Sequence, residues 1–159
     1  MPTPLTEGQP APDFTAQTDR GETVSLKDFG GKHVVLYFYP KDDTPGCTIE
    51  ACNFRDNLGI LQQEGAVVLG ISLDSVESHE QFRDKFELPF TLLADPEHEV
   101  SDAYGVYGQK KFKEFEYMGL DRATFLIGPD ATLEKVWPQV DPNGHAEEVL
   151  TWLREHKGE

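Results

Sequence analysis

Val34-Val35-Leu36-Tyr37-Phe38-Tyr39-Pro40-Lys41-Asp42-Asp43-Thr44-Pro45-Gly46-Cys47 reads as a buried strand that turns into a helix. The first six residues have the β-branched and aromatic content of an interior strand, and Pro40 ends it because proline cannot donate to a sheet ladder. Thr44 stands where a helix N-cap is expected, and Pro45 falls at the first helical position, where a missing N–H costs nothing. Cys47 is then the third residue of a helix. Unsatisfied N–H groups and the helix macrodipole favour negative charge in that first turn, so they favour the nucleophilic thiolate over the thiol.

Working outward from Cys47, the residues Cys47, Ala51, Phe54, Leu58 and Leu61 recur at intervals of four, three, four and three, the stripe of a helix packed on a core. Gly59 interrupts it mildly and Gly65 ends it, after which Ala66 to Leu73 reads as a second buried strand. Ser75 caps a helix over Val76 to Phe86, closed before Pro89. Thr91 to Ala94 is a short strand, and Asp95-Pro96 opens a helix running to about Tyr104. Gly105 to Gly119 alternates poorly and is expected to be a loop with a short strand around Phe112 to Tyr117. Ala123 to Ile127, the turn Gly128-Pro129-Asp130-Ala131 and Thr132 to Trp137 form a hairpin. The last helix begins near His145, with Val149, Leu150, Trp152 and Leu153 for its apolar face. On the amino-terminal side, Met1 to Asp13 is an extended lead-in, and Phe14 to Gln17 with Thr23 to Leu26 make a hairpin that caps the sheet's edge. Buried strands alternating with helices predict an α/β fold, a central mixed sheet flanked by helices on both faces.

A chain of 159 residues suits one domain spanning 1–159. Acidic residues outnumber basic ones 29 to 14, a formal charge of -15, so nucleic acid and anionic membrane surfaces are repelled. No apolar run exceeds about six residues, far short of a membrane span, and the start lacks the basic and apolar stretches of a signal peptide, so a cytoplasmic protein is expected. Two cysteines are too few for a secreted disulfide framework, and a pair this close in sequence suits catalysis better. His33, His79, His98, His145 and His156 lack metal-ligand spacing. Nucleotide-binding and serine-hydrolase motifs are missing, and Asp141-Pro142-Asn143-Gly144 is a turn without the later spacing of a calcium loop. Neither metal nor cofactor is expected.

Pro40-x-x-x-Thr44-x-x-Cys47 resembles the active-site signature of the peroxiredoxins. The longer string from Tyr37 to Thr48, with Cys52 five residues beyond Cys47, is similar to the branch called peroxiredoxin Q or bacterioferritin comigratory protein. The likeness extends from Asp19-x-Gly21 through Arg122-Ala123-Thr124-Phe125-Leu126-Ile127 to Trp152-Leu153. The resemblance implies a thioredoxin-like fold and a thiol peroxidase that reduces hydrogen peroxide and organic hydroperoxides to water and alcohols. It implies that Cys47 is the peroxidatic cysteine, which passes through a sulfenic acid, and Cys52 the resolving one, which closes an intramolecular disulfide. It places Thr44 as the hydroxyl that orients the peroxide, Arg122 as the cation that stabilises sulfur and leaving oxygen, and Pro40 as the residue that shapes the loop and shields the sulfur. Thioredoxin or a similar dithiol is the implied reductant, and the protein is expected to be a monomer or weak homodimer. In an unbroken helix, Cα atoms five residues apart lie roughly 8 to 9 Å from one another, beyond the ~7 Å a disulfide spans, so the implied bond requires the first turns to unwind. Two positions depart from the family pattern: Glu114-Phe115 stands where a glycine-lysine pair is usual, and Gly128 where aspartate is usual. Two rival readings have less support. A thioredoxin-like disulfide reductase lacks its C-x-x-C here, and a slow-turnover redox sensor is told apart by its rate with peroxide.

Overall fold

The computed structural model describes residues 3–156; residues 1–2 and 157–159, part of the lead-in and of the expected 1–159 domain, lie outside the described residues. The strands are β1 (Thr15–Thr18), β2 (Thr23–Ser25), β3 (His33–Phe38), β4 (Ala66–Ser72), β5 (Thr91–Ala94), β6 (Tyr107–Phe112), β7 (Phe115–Leu120), β8 (Ala123–Ile127) and β9 (Leu133–Trp137). The helices are α1 (Pro45–Gln63), α2 (Val76–Phe86), α3 (Glu99–Ala103) and α4 (His145–Glu155). Seven strands form one sheet in the order β2-β1-β5-β4-β3-β8-β9, and β6 pairs with β7 apart from it. β3, β4 and β5 run parallel and the remaining pairs are antiparallel, giving the mixed sheet that the alternation of strands and helices predicts.

β3 lies inside the sheet and is covered on both sides. Val34, Leu36 and Phe38 point into one apolar layer with Leu69, Ile71, Tyr104 and Phe125. Val35, Tyr37 and Tyr39 point into the other, with Cys47, Ala51, Phe54 and Leu61 of α1, Phe82 of α2 and Val149 and Leu153 of α4. The period of two along β3 and the three-and-four spacing along α1 therefore meet in one core. The amino-terminal hairpin does more than cap the edge: β1 pairs with β5, so it extends the sheet.

Two expectations are corrected. The third helix begins at Glu99 rather than at Pro96, because the Asp95 carboxylate accepts hydrogen bonds from the Val100 and Ser101 N–H groups. Asp95 thus works as a side-chain cap four residues ahead of the helix, with His98 in the left-handed region at φ 50° between them. The segment Gly105 to Gly119 is a regular hairpin and not a loop, with Phe112 paired to Phe115 across a turn in which Lys113 has φ 57°. Most of β7 faces solvent, so there is no apolar side to impose the alternation by which a strand is recognised.

Candidate active site

α1 starts just beyond the end of β3, and Cys47 sits in its first turn with 1% of its surface exposed. β8 lies antiparallel to β3 with Ala123 opposite Phe38, so the residue before Ala123 emerges at the end of β3 where the cysteine loop departs. That residue is Arg122. Its Nη2 lies 3.4 Å from Cys47 Sγ and its Nη1 donates to Glu50 Oε1 at 2.8 Å, while its carbonyl accepts from the Val140 N–H at 2.9 Å. Gly46 makes this approach possible: a Cβ there would stand 2.9 Å from Nη2.

The electrostatics centre on that guanidinium. Burial works against its charge, but Cys47 and Glu50 outweigh burial and hold it above its ordinary value. Glu50 is fully buried, and burial pushes its carboxyl up to about 7 although Arg122 pulls the other way. Burial, followed by Glu50 and Cys47, pushes the Tyr37 phenol well above its usual range. Tyr37 stacks on Phe54 with ring centroids 4.7 Å apart, and its hydroxyl end occupies the space that a side chain on Gly70 would need. Among the described residues, Glu50 Oε2 and Tyr37 Oη are the buried side-chain oxygens without a hydrogen-bond partner.

Thr44 occupies the N-cap position, and its carbonyl accepts from the Thr48 N–H at 2.8 Å. Its hydroxyl makes no cap bond, which corrects the side-chain half of the N-cap expectation. It donates instead to the Lys41 carbonyl at 2.8 Å, which orients the oxygen lone pairs as acceptors. Pro40 is exposed at the bend that leaves β3. Cys52 is half-buried further along the same unbroken helix, and both cysteines are free thiols. The structure thus gathers Cys47 and Arg122 into direct contact, sets Thr44 at the mouth of α1, and keeps Cys52 apart.

Three contributors escaped the sequence reading. Glu50 is the first, although a charged residue three positions after Cys47 on an otherwise apolar stripe was a visible signal. The second is the Asp42 and His79 pair. Asp42 Oδ1 accepts from Tyr39 Oη at 2.6 Å, and Oδ2 accepts from Ser78 Oγ at 2.8 Å and meets His79 Nδ1 at 2.7 Å. His79 Nε2 faces the Leu93 carbonyl at 2.8 Å, and the Asp42 N–H donates to Asp74 Oδ2 at 2.9 Å. This network ties the loop between Pro40 and Thr44 to the start of α2. Asp42, Asp74 and His79 bring ligand-type atoms within 4.8 Å of one another, but those atoms are engaged in the hydrogen bonds just given, so the cluster reads as an anchor. The third is Gly46, whose missing side chain is explained only by what Arg122 does above it.

Comparisons with known proteins show what the chain is similar to. The AhpC/TSA family pattern matches residues 7–136. The putative peroxiredoxin bcp of Coxiella burnetii is 53% identical over 143 residues, 90% of this chain and 95% of its own. Peroxiredoxin Bcp of Bacillus subtilis is 49% identical over 148 residues, 93% of this chain and 94% of its own. Among solved structures, a cysteine-to-serine mutant of PrxQ from Xylella fastidiosa matches with a TM-score of 0.91 and 36% identity over 96% of this chain and 97% of its own. The bacterioferritin comigratory protein of Xanthomonas campestris, described for its alkyl peroxide reduction activity, matches with a TM-score of 0.85 and 35% identity over 90% of this chain and 91% of its own.

Proposed function

The chain belongs to the AhpC/TSA family, in the peroxiredoxin Bcp and PrxQ branch of thiol-dependent peroxidases, and on that premise we propose that Cys47 is the sulfur that takes oxygen from the peroxide. The observation that carries this reading is the contact between Arg122 Nη2 and the buried Cys47 Sγ at the mouth of α1. Cys47 as thiolate attacks one peroxide oxygen. The O–O bond breaks, an S–O bond forms, and the other oxygen departs as hydroxide or alkoxide and gains a proton to become water or alcohol. Arg122 stabilises charge first on sulfur and then on the departing oxygen, being cationic throughout and rich in donors. The Thr44 hydroxyl, with its own hydrogen given to Lys41, accepts from the peroxide O–H and orients it. Pro40 fixes the bend that brings the loop over the sulfur.

In the next step Cys52 attacks the Cys47 sulfenic acid, expelling water and forming the intramolecular disulfide. A dithiol of the thioredoxin kind then reduces the disulfide by exchange and is itself oxidised. The helix geometry requires the first turns of α1 to open before the sulfurs meet. Hydrogen peroxide and organic hydroperoxides are the proposed substrates, within one domain over 1–159. Among the described residues no helix is long and apolar enough to cross a membrane. The test is mass spectrometry after one equivalent of peroxide. The parent protein loses two hydrogens to a 47–52 disulfide, and Cys52→Ser keeps one added oxygen on Cys47. A parent protein that holds a lasting sulfenic acid overturns the role of Cys52.

A further inference from the structure

We propose that Glu50 balances the charge change at Cys47: it carries a proton while Cys47 is a thiolate and gives it up when Cys47 becomes a sulfenic acid. The inference rests on the reading of Cys47 as the peroxidatic residue. One cation, Arg122, stands between two groups that can each be an anion, donating through Nη1 to Glu50 Oε1 at 2.8 Å and reaching Cys47 Sγ through Nη2 at 3.4 Å. Both acids are buried, Glu50 at 0% and Cys47 at 1% exposure. Two anions against one guanidinium leave an uncompensated buried negative charge, which is costly, whereas one anion and one neutral acid leave none.

The hydrogen bonding says which acid is neutral in the resting protein. Glu50 Oε2 has no partner, so an ionised carboxylate would keep a bare anionic oxygen among apolar groups, and a neutral carboxyl costs less there. Among the described residues, Arg122 is the one cation acting on Glu50. From β3 comes the Tyr37 phenol, itself unpartnered, and from α1 comes Cys47. α4 packs against α1, but its His145 is bonded to Thr124 and Glu148, and its Glu147 to Asn53 and Asn57. Burial, which pushes the Glu50 carboxyl up to about 7, agrees with the geometry.

The step balances as follows. Cys47 thiolate, Glu50 carboxylic acid and a hydroperoxide become Cys47 sulfenic acid, Glu50 carboxylate and an alcohol or water. Sulfur is oxidised by two electrons, the O–O bond is reduced, and no net proton is drawn from solvent. Glu50 releases its proton to water and the departing oxygen takes one from water, so the two need not touch. Arg122 has one anionic partner before and after. Glu50 acts through Arg122 and is a charge-compensating, positioning residue, not one that touches the peroxide.

The experiment counts protons in a single turnover. Cys52→Ser protein, which halts at the sulfenic acid, is mixed with one equivalent of hydrogen peroxide in weak buffer with a pH indicator. The same is done with Glu50→Gln in the Cys52→Ser background. With Cys47 uncharged, burial leaves Glu50 titrating near 7, so at about pH 8 it is about 90% ionised once the sulfenic acid has formed, whereas the neighbouring thiolate keeps it protonated beforehand; there the Gln protein is expected to take up close to one more proton per sulfenic acid. At about pH 6 the difference is expected to vanish, because Glu50 then stays protonated through the oxidation. Equal uptake at the higher pH, with one oxygen on Cys47 in both, overturns the role of Glu50 alone. Absence of oxygen on Cys47 overturns the proposed function as well. A second measurement needs no Glu50 substitution: infrared difference spectra of the Cys52→Ser protein are expected to lose one protonated-carboxyl C=O band on oxidation, and its persistence also overturns the role.

Discussion

Gly46→Ala adds one methyl group to the helix and aims it at the guanidinium. The new Cβ would lie 2.9 Å from Arg122 Nη2, and ordinary contact begins at about 3.5 to 4 Å, so the tip of Arg122 must retreat by about 0.6 to 1 Å. In an effective dielectric of about 20, moving a charge from 3.4 Å to about 4.4 Å lowers its attraction to the Cys47 thiolate from about 5 to about 4 kcal/mol. A loss of about 1 kcal/mol in the transition state slows peroxide reduction about fivefold. Stability moves the other way: Gly46 is helical without a positive φ, and alanine in place of glycine adds up to about 0.5 to 1 kcal/mol. Gly59→Ala is the control. It lies in the same helix with nothing within 4 Å of its added Cβ, so it is expected to gain similar stability with unchanged activity. Second-order rate constants with hydrogen peroxide and urea melts are measured on the three proteins. A Gly46→Ala protein as fast as the parent refutes the placement of Arg122 over the first turn.

The other predictions concern the buried charges. The Glu50 carboxyl is raised from 4.5 to about 7 in the fold, so its contribution is fully present below about pH 4.5 and lost as pH rises through about 7, in total about 3 kcal/mol. His145 runs oppositely: burial lowers it from 6.5, so its contribution is present above that value and lost as pH falls. Glu50→Gln removes the Glu50 contribution and leaves that of His145. Relative to the parent it is expected to gain stability as pH rises from about 4.5 to about 7 and to hold that gain above it, and parallel melting profiles contradict this. His79→Gln removes one of the hydrogen-bond partners of buried Asp42 and is expected to cost about 1 to 3 kcal/mol in a urea melt and to slow peroxide reduction as the loop from Pro40 to Thr44 loosens. An unchanged rate shows that the anchor does not govern the loop.

How far the sequence could be read followed from where burial imposes a pattern. β3, α1, β4 and α2 border the core on well-defined faces, and their residues show it: the ends of α2, Ser75 cap included, are those expected from Ser75 and Pro89. The hairpin of β6 and β7 stands off the main sheet with Phe115 at 74% and Tyr117 at 52% exposure, so hydrophobicity carries no register there. The beginning of α3 lies later than local preference suggests because Asp95 caps at a distance, through a turn that such preference does not reveal. At the site, Cys47 and Thr44 were legible because a strand, a proline and a helix start fall within one short stretch. Arg122 is 75 positions from Cys47, and only the pairing of β8 with β3 brings them together; in the sequence it was reached through a family resemblance. Glu50, His79 and Gly46 depend on partners from other elements; a polar side chain on a buried face is the one trace that Glu50 and His79 leave, and Gly46 leaves none.

Replacing the Cys47 sulfur by a hydroxyl reaches the centre of the account. Cys47→Ser keeps the shape of the first turn and the Arg122 to Glu50 bond, so circular dichroism should match the parent while hydrogen peroxide loss in the presence of a dithiol reductant falls to the rate without protein. Peroxide loss that continues at the parent rate in the folded variant contradicts it.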